Sequence, residues 1–158
     1  PYPMSIEEIY DKILFHGIEL QGIEEITGYS SNRMVARISA APLPAKWMVE
    51  PLRSRWIGDP LVVDSAFQMA ILYCFNETGL VSLPSYTASY RQYQKAFPLD
   101  EVTAVLEVKK MTDHKMTCDF TFLDKDHIVV ARLTGYEAVM DASLLKPFSI
   151  AAFARRGA

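Results

Sequence analysis

The sequence predicts an α+β domain in which one antiparallel sheet of about five to seven strands wraps around a single long buried helix. Residues 60–78 form an uninterrupted helical segment that is apolar on nearly every side, which is typical of a buried helix. Most of the segments after it alternate apolar and polar residues with a period of two, the pattern of half-buried strands. One helix and such a sheet can bury their apolar surfaces together only if the sheet curls around the helix.

The N-terminal segment indicates a short helix followed by a β-hairpin. Ser5 and Glu8 have the spacing of a capping box, and apolar residues follow them at helical intervals. Residues 22–39 alternate in the manner of two strands joined at the turn signal SSN. Residues 40–58 contain three prolines and two tryptophans, which predicts a loop packed on the body of the domain.

The long helix has clear signals at both ends. Asp59 is a suitable N-cap residue, and Pro60 is typical of the first turn of a helix. Gly79 is typical of the position at which a helix ends. At a rise of about 1.5 Å per residue, a helix of about 19 residues is roughly 28 Å long.

Four strands are predicted after the helix, at residues 86–94, 101–109, 115–123 and 128–140. Short polar turns connect the last three of them, as in an antiparallel meander. Together with the N-terminal hairpin they complete a sheet wrapped around one helix, which is the hotdog fold.

Composition excludes several classes of protein. The chain has 158 residues, half of them apolar, and this length favours one domain over residues 1–158. The net charge of −3 with interspersed signs argues against nucleic acid binding, and no apolar run is long enough for a membrane span. The chain has no signal peptide pattern and only two cysteines, so we expect a soluble cytoplasmic protein. Its first residue is Pro1, which favours a piece of a longer polypeptide.

The long helix carries one polar pair that its apolar pattern does not require. Asp64 and Gln68 are four residues apart and therefore lie on the same face, where the amide can hydrogen-bond to the carboxyl and orient it. Such a pair could act as a positioned acid. The spacing leaves a simpler interpretation open, in which Asp64 favours the helix dipole and Gln68 is a solvated helix former.

Three segments resemble the dehydratase domains of polyketide synthases and polyunsaturated fatty acid synthases. DPLVVDSAFQ, residues 59–68, resembles the D-x-x-x-Q motif in the C-terminal half of those domains. LFHGIELQGI, residues 14–23, resembles their [YH]-G-P-x-F-Q-G segment, and LPSYTASYRQY, residues 83–93, resembles the Leu-Pro segment that begins the next strand. The three occur in the family's order, so the resemblance covers nearly the whole chain.

The chain departs from the family pattern at three places. Ile18 stands where the family usually has proline, and Leu20 stands where it usually has phenylalanine. The Leu-Pro segment lacks the phenylalanine and tryptophan that commonly follow it. These differences affect the expected shape of the pocket or the branch of the family.

The family's dehydratase consists of two hotdog halves. The N-terminal half supplies a catalytic histidine in an H-x-x-x-G-x-x-x-x-P motif, and the C-terminal half supplies the aspartate. None of the three histidines of this chain, His16, His114 and His127, lies in such a motif. The resemblance therefore assigns this chain to the C-terminal half. His114 and His127 fall in or beside predicted turns, where we expect solvated side chains, and His16 is predicted to be a pocket or structural residue.

The resemblance implies the removal of water from a 3-hydroxyacyl group on the phosphopantetheine arm of an acyl carrier protein. Asp64 would be the catalytic acid that protonates the departing hydroxyl, Gln68 its orienter, and the base would come from another hotdog half. The matched segments also provide candidate substrate-binding residues: His16, Gly17, Leu20, Leu83, Pro84 and Tyr86. The implied partners are the carrier protein and a second hotdog, in a homodimer or as an N-terminal half. No bound cofactor or metal is expected, since the sequence has neither metal-ligand spacing nor a glycine-rich loop.

Two other functions stay open. The missing base favours a non-catalytic hotdog that binds acyl groups or acts as a scaffold. A hotdog thioesterase would use a helix-borne carboxylate to activate water. A cysteine nucleophile has little support, because Cys74 lies on the most apolar side of the long helix and Cys118 alternates with core residues.

Overall fold

The structure, a computed structural model, describes residues 1–149 and consists of a six-stranded antiparallel sheet packed on one long helix. This confirms the predicted α+β hotdog fold. The elements are α1 (Ile6–Lys12), β1 (Ile23–Ser30), β2 (Arg33–Ser39), α2 (Pro44–Trp47), α3 (Pro60–Thr78), β3 (Ser82–Gln92), β4 (Glu101–Met111), β5 (Lys115–Leu123) and β6 (Val129–Met140), with 3₁₀ helices at Ile18–Leu20 and Ala142–Leu144.

The strand order across the sheet is β1-β2-β4-β5-β6-β3. Because β2 and β3 lie near opposite edges, the connection between them must cross the sheet, and α3 lies in that connection. The predicted hairpin is β1 and β2, and the predicted meander is β4, β5 and β6. Strand β3 pairs with β6 and forms the outer edge.

Helix α3 begins and ends where its capping signals predict. The Asp59 carboxylate accepts the N–H groups of Val62 and Ala41, each at 2.9 Å, so it joins the helix to the preceding loop. Gly79 ends the helix in the left-handed conformation with a φ of 73°. The helix buries residues on every side, and the facing strands contribute alternate buried side chains such as those of Leu106, Phe120 and Phe122.

The loop at residues 40–58 differs from its prediction. It contains the short helix α2, and its middle does not pack on the body, since Val49 and Leu52 are fully exposed. The rings of Trp47 and Trp56, 5.9 Å apart, connect the two ends of the exposed part. The prediction of a loop packed on the body of the domain is therefore wrong for this middle part.

The two cysteines are buried and form no disulfide with each other. Burial raises the pKa of Cys74 to about 11 and also raises the pKa of Cys118. Both side chains therefore remain neutral thiols at physiological pH, which agrees with a structural role. Within residues 1–149, no helix has both the length and the apolar character needed to cross a bilayer.

The two hydrogen bonds of Asp59 give a stability prediction. Asp59→Ala should lower the free energy of unfolding by about 2–3 kcal/mol, because it removes an N-cap and leaves two backbone amides without their acceptor. Ser5→Ala is the matched control, since Ser5 caps α1 at an exposed position and its loss should cost about 1 kcal/mol or less. Urea unfolding of both variants measures the difference, and equal losses would contradict a bridging role for Asp59.

Candidate active site

Asp64 lies in the second turn of α3, and its side chain is 34% exposed. Gln68, one turn later, is fully buried. The amide nitrogen Nε2 of Gln68 donates a hydrogen bond of 2.8 Å to Oδ2 of Asp64, which confirms the predicted contact. The interpretation of Gln68 as a solvated helix former is wrong, because a side chain with no exposed surface must find its partners inside the protein.

Each polar atom of the Gln68 side chain has a partner. Nε2 also donates to the backbone carbonyl of Leu20 at 2.7 Å, so both amide hydrogens are used. The hydroxyl of Tyr10 donates to Oε1 at 2.8 Å. These three bonds fix the amide so that its nitrogen, and not its oxygen, faces Asp64.

His16 is the second polar neighbour of Asp64. Its Nε2 lies 3.5 Å from Oδ2 of Asp64, at the outer limit of a hydrogen bond, and the pair is an ion pair only when the imidazole is protonated. His16 is buried, its ring stacks on Phe15 with centroids 4.5 Å apart, and its carbonyl accepts a hydrogen bond from Gln21. The fold thus brings together two residues that are far apart in the sequence.

The contacts of Asp64 are asymmetric. Gln68 and His16 both approach Oδ2, and within residues 1–149 no hydrogen bond reaches Oδ1. Since a third of the side chain is exposed, a ligand hydroxyl can reach the carboxyl group, and Oδ1 is the oxygen that no protein hydrogen bond within residues 1–149 occupies. A carboxyl group that is held at one oxygen and open at the other can donate or accept a proton at a defined position.

The remaining sequence-predicted residues fall into two groups. Gly17 and Leu20 belong to the segment beside Asp64. Gly17 precedes the first 3₁₀ helix, and Leu20 is its last residue. The carbonyl of Leu20 accepts the hydrogen bond from Gln68. Leu83, Pro84 and Tyr86 lie on the edge strand β3, with Leu83 and Tyr86 exposed. In the described part of the chain, none of these three makes a polar contact with Asp64, and their binding of substrate stays a prediction.

Tyr10 is the residue of this site that the sequence did not reveal. It is buried in α1 and appears in the sequence as an ordinary apolar position of an amphipathic helix. Its contact with Gln68 spans 58 positions of sequence, which no local pattern reports. One chemical signal could have pointed to Tyr10. A tyrosine at a buried position usually requires a hydrogen-bond partner for its hydroxyl.

Metal sites in proteins are built from several ligand side chains that lie close together. Among residues 1–149, no three side chains of histidine, cysteine, aspartate or glutamate lie together so that they could hold an ion. The polar side chains that interact with Asp64 include the amide of Gln68, the imidazole of His16 and the phenols of Tyr10 and Tyr136.

The sequence matches a family model described as "Polyketide synthase dehydratase N-terminal domain" over residues 1–140. The chain is also similar to a polyunsaturated fatty acid synthase protein of Thraustochytrium sp. (strain ATCC 26185 / S-3), with 32% identity over 84 residues. That alignment covers 52% of this chain and 3% of the synthase protein, so the chain corresponds to a small part of it. The family description names an N-terminal domain, and the assignment of this chain to the C-terminal half stays a prediction.

Solved structures share the fold. The dehydratase domain from the CurF module of curacin polyketide synthase superposes with a TM-score of 0.67 at 21% identity, covering 87% of this chain and 47% of that chain. The corresponding domain of the CurJ module superposes with a TM-score of 0.66 at 18% identity, covering 87% of this chain and 50% of that chain. A hypothetical thioesterase with coenzyme A from Streptococcus pneumoniae TIGR4 superposes with a TM-score of 0.59 at 11% identity, covering 87% of this chain and 97% of that chain.

These structural likenesses show the fold, which dehydratase domains and a thioesterase-like protein have in common. The family assignment rests on the sequence match, which extends over nearly the whole of the described chain. The protein belongs to the polyketide synthase dehydratase family.

Proposed function

We propose that this chain is one hotdog half of a dehydratase that removes water from a 3-hydroxyacyl thioester, and that Asp64 is its acid. The proposal rests on the Asp64 carboxyl. Gln68 holds its Oδ2, no protein hydrogen bond within residues 1–149 reaches Oδ1, and a third of the side chain is exposed. Membership of the dehydratase family supports the reaction class. The substrate would be carried on the phosphopantetheine arm of an acyl carrier protein, and no cofactor would be bound to the chain itself.

The reaction needs an acid because hydroxide is a poor leaving group. A base removes the proton from the α-carbon, and the electron pair of that C–H bond becomes the new double bond to the β-carbon. The C–O bond breaks as the carboxyl of Asp64 gives its proton to the departing oxygen, which leaves as water. Oδ1 has no protein hydrogen bond within residues 1–149, so we assign the transferred proton to it.

The catalytic base would come from a partner of this chain. Its sequence contains no H-x-x-x-G-x-x-x-x-P motif, the motif in which the resemblance places the catalytic histidine. The chain spans about half the length of the CurF and CurJ dehydratase structures, as one of two hotdog halves would. A second hotdog that carries this motif would therefore complete the acid and base pair.

The edge strand β3 supports such a partner. It is eleven residues long, its side chains are almost all exposed, and in the described part of the chain its outer edge pairs with no other strand. A long exposed edge tends to pair with another strand, and the exposed side chains of Leu83, Tyr86 and Tyr90 add apolar surface beside it. We therefore assign a second hotdog to this edge. A second copy of this chain or an N-terminal half could pair there, but only a half that carries the histidine motif would supply the base.

His16 gives a second candidate for the base. The observation that favours it is its distance of 3.5 Å from Asp64 within one chain. In that case the chain would dehydrate its substrate without a partner, and His16→Ala would abolish the reaction. The two candidates therefore differ in what the isolated chain does.

The isolated chain should show little or no dehydration of a 3-hydroxyacyl thioester. One general acid or base typically contributes about 10²- to 10⁴-fold, so adding a hotdog half with the histidine motif should raise the rate by a comparable factor. The assay follows formation of the enoyl thioester. Rapid dehydration by the isolated chain that is lost in His16→Ala would instead assign the base to His16. Release of free thiol from a saturated acyl thioester would indicate a thioesterase.

In the assembled dehydratase, Asp64→Asn should lower kcat by about 10²- to 10⁴-fold, because asparagine has nearly the same shape but cannot donate a carboxylic proton. Asp113→Asn is the matched control, since it removes an exposed carboxylate from the turn between β4 and β5. The control should keep full activity, and both variants should keep the circular dichroism spectrum of the parent protein. Full activity of Asp64→Asn would remove the acid assignment.

A further inference from the structure

A directional chain of hydrogen bonds connects the backbone of β1 to Asp64. The N–H of Ile23 donates to the hydroxyl oxygen of Tyr10 at 2.9 Å, and that hydroxyl donates to Oε1 of Gln68 at 2.8 Å. The nitrogen of Gln68 then donates to Asp64 and to the carbonyl of Leu20. A backbone N–H can only donate and a backbone carbonyl can only accept, so the two backbone groups fix the direction of every bond between them.

We infer that Tyr10 is a positioning residue for the acid and acts through Gln68, an inference that rests on the proposed role of Asp64. The hydroxyl of Tyr10 bonds to Gln68 and Ile23, and neither of these bonds involves Asp64 or the oxygen that would meet substrate. Its effect on the reaction would come from the orientation that it imposes on the Gln68 amide.

The hydroxyl of Tyr10, together with the carbonyl of Leu20, opposes one competing arrangement of the protonated acid. If the Gln68 amide were rotated by half a turn, Oε1 would face Asp64 and could accept the carboxylic proton. That proton would then be held on the side of Gln68, away from the open oxygen Oδ1. The rotated amide would direct an N–H at the Tyr10 hydroxyl and leave the hydroxyl hydrogen without Oε1 as its acceptor. It would also turn Oε1 towards the carbonyl of Leu20, so that two acceptors face each other.

The environment of Tyr10 keeps this donor available. The residue is buried in α1, where water cannot easily replace it, and its acceptor site is occupied by Ile23. Burial raises the pKa of the Tyr10 hydroxyl above its usual value, so the group keeps its proton throughout the working range of an enzyme. The hydroxyl hydrogen therefore remains directed at Gln68.

Tyr10→Phe tests the inference, with Tyr73→Phe as the matched control. Tyr73 is also buried and also donates to one partner, the carbonyl of Ser31 at 2.6 Å, but it has no connection to Gln68 in the described residues. Tyr10→Phe should lower kcat of the assembled dehydratase by about 10-fold, with little change in KM. This factor is about the lower end of the loss of activity that follows when the hydrogen-bond partner of a metal ligand is removed. Tyr73→Phe should leave kcat unchanged.

A double-mutant cycle separates positioning from general stabilisation. In a Gln68→Met background the path from Tyr10 to Asp64 is already broken, so adding Tyr10→Phe should change kcat no further. Thermal unfolding of each variant confirms that it is folded. An equal fold-loss of kcat from Tyr10→Phe in both backgrounds would overturn the inference.

A second measurement on this chain does not depend on activity. With ¹⁵N in glutamine side chains, the amide hydrogens of Gln68 should exchange slowly with water in the parent and in Tyr73→Phe, and at least 10-fold faster in Tyr10→Phe. Unchanged exchange in Tyr10→Phe would overturn the positioning role. If the assembled parent protein fails to dehydrate its substrate, the proposed function fails, while the exchange rates still test whether Tyr10 orients Gln68.

Discussion

The site depends on the requirement that the buried amide of Gln68 have a partner for each of its polar atoms. An amide without exposed surface cannot use water, so its two hydrogens and its oxygen must be matched inside the protein. Leu20, Asp64 and Tyr10 meet this requirement. Satisfying the amide therefore also fixes one oxygen of Asp64, and the position of this carboxyl group follows from the packing of the core.

The same core explains why one polar turn is possible on an otherwise apolar helix. Helix α3 is enclosed by the sheet, and the segment from α1 to β1 supplies the polar groups that Gln68 needs. His16, in the same segment, lies against Asp64. A rearrangement of residues 10–23 would thus disturb the carboxyl group of Asp64 without changing the helix that carries it. The exposed strand β3 belongs to a different part of the surface, the edge of the sheet.

Local signals made much of the fold predictable from the sequence. Asp59, Pro60 and Gly79 define α3 because caps act within one turn, and the period of two defines β5 at residues 115–123. The predicted start of β3 at residue 86 is four residues late, because Pro84 discourages a strand assignment although an edge strand with a bulge tolerates it. The contact of Gln68 with Asp64 follows from helical spacing. The contacts of Tyr10 and His16 do not, because they join residues 58 and 48 positions apart and depend on how α1 and the following turn pack against α3.

The role of Asp64 as the acid is tested most directly by changing the leaving group. In the assembled dehydratase, a 3-hydroxyacyl thioester should be compared with its 3-fluoro analogue, whose fluoride has nearly the size of a hydroxyl but departs without prior protonation. Asp64→Asn should lose about 10²- to 10⁴-fold in elimination of water and much less in elimination of fluoride, since only the first reaction needs a carboxylic proton. Equal losses for both substrates would show that Asp64 has a different role, in binding or in removing the α-proton.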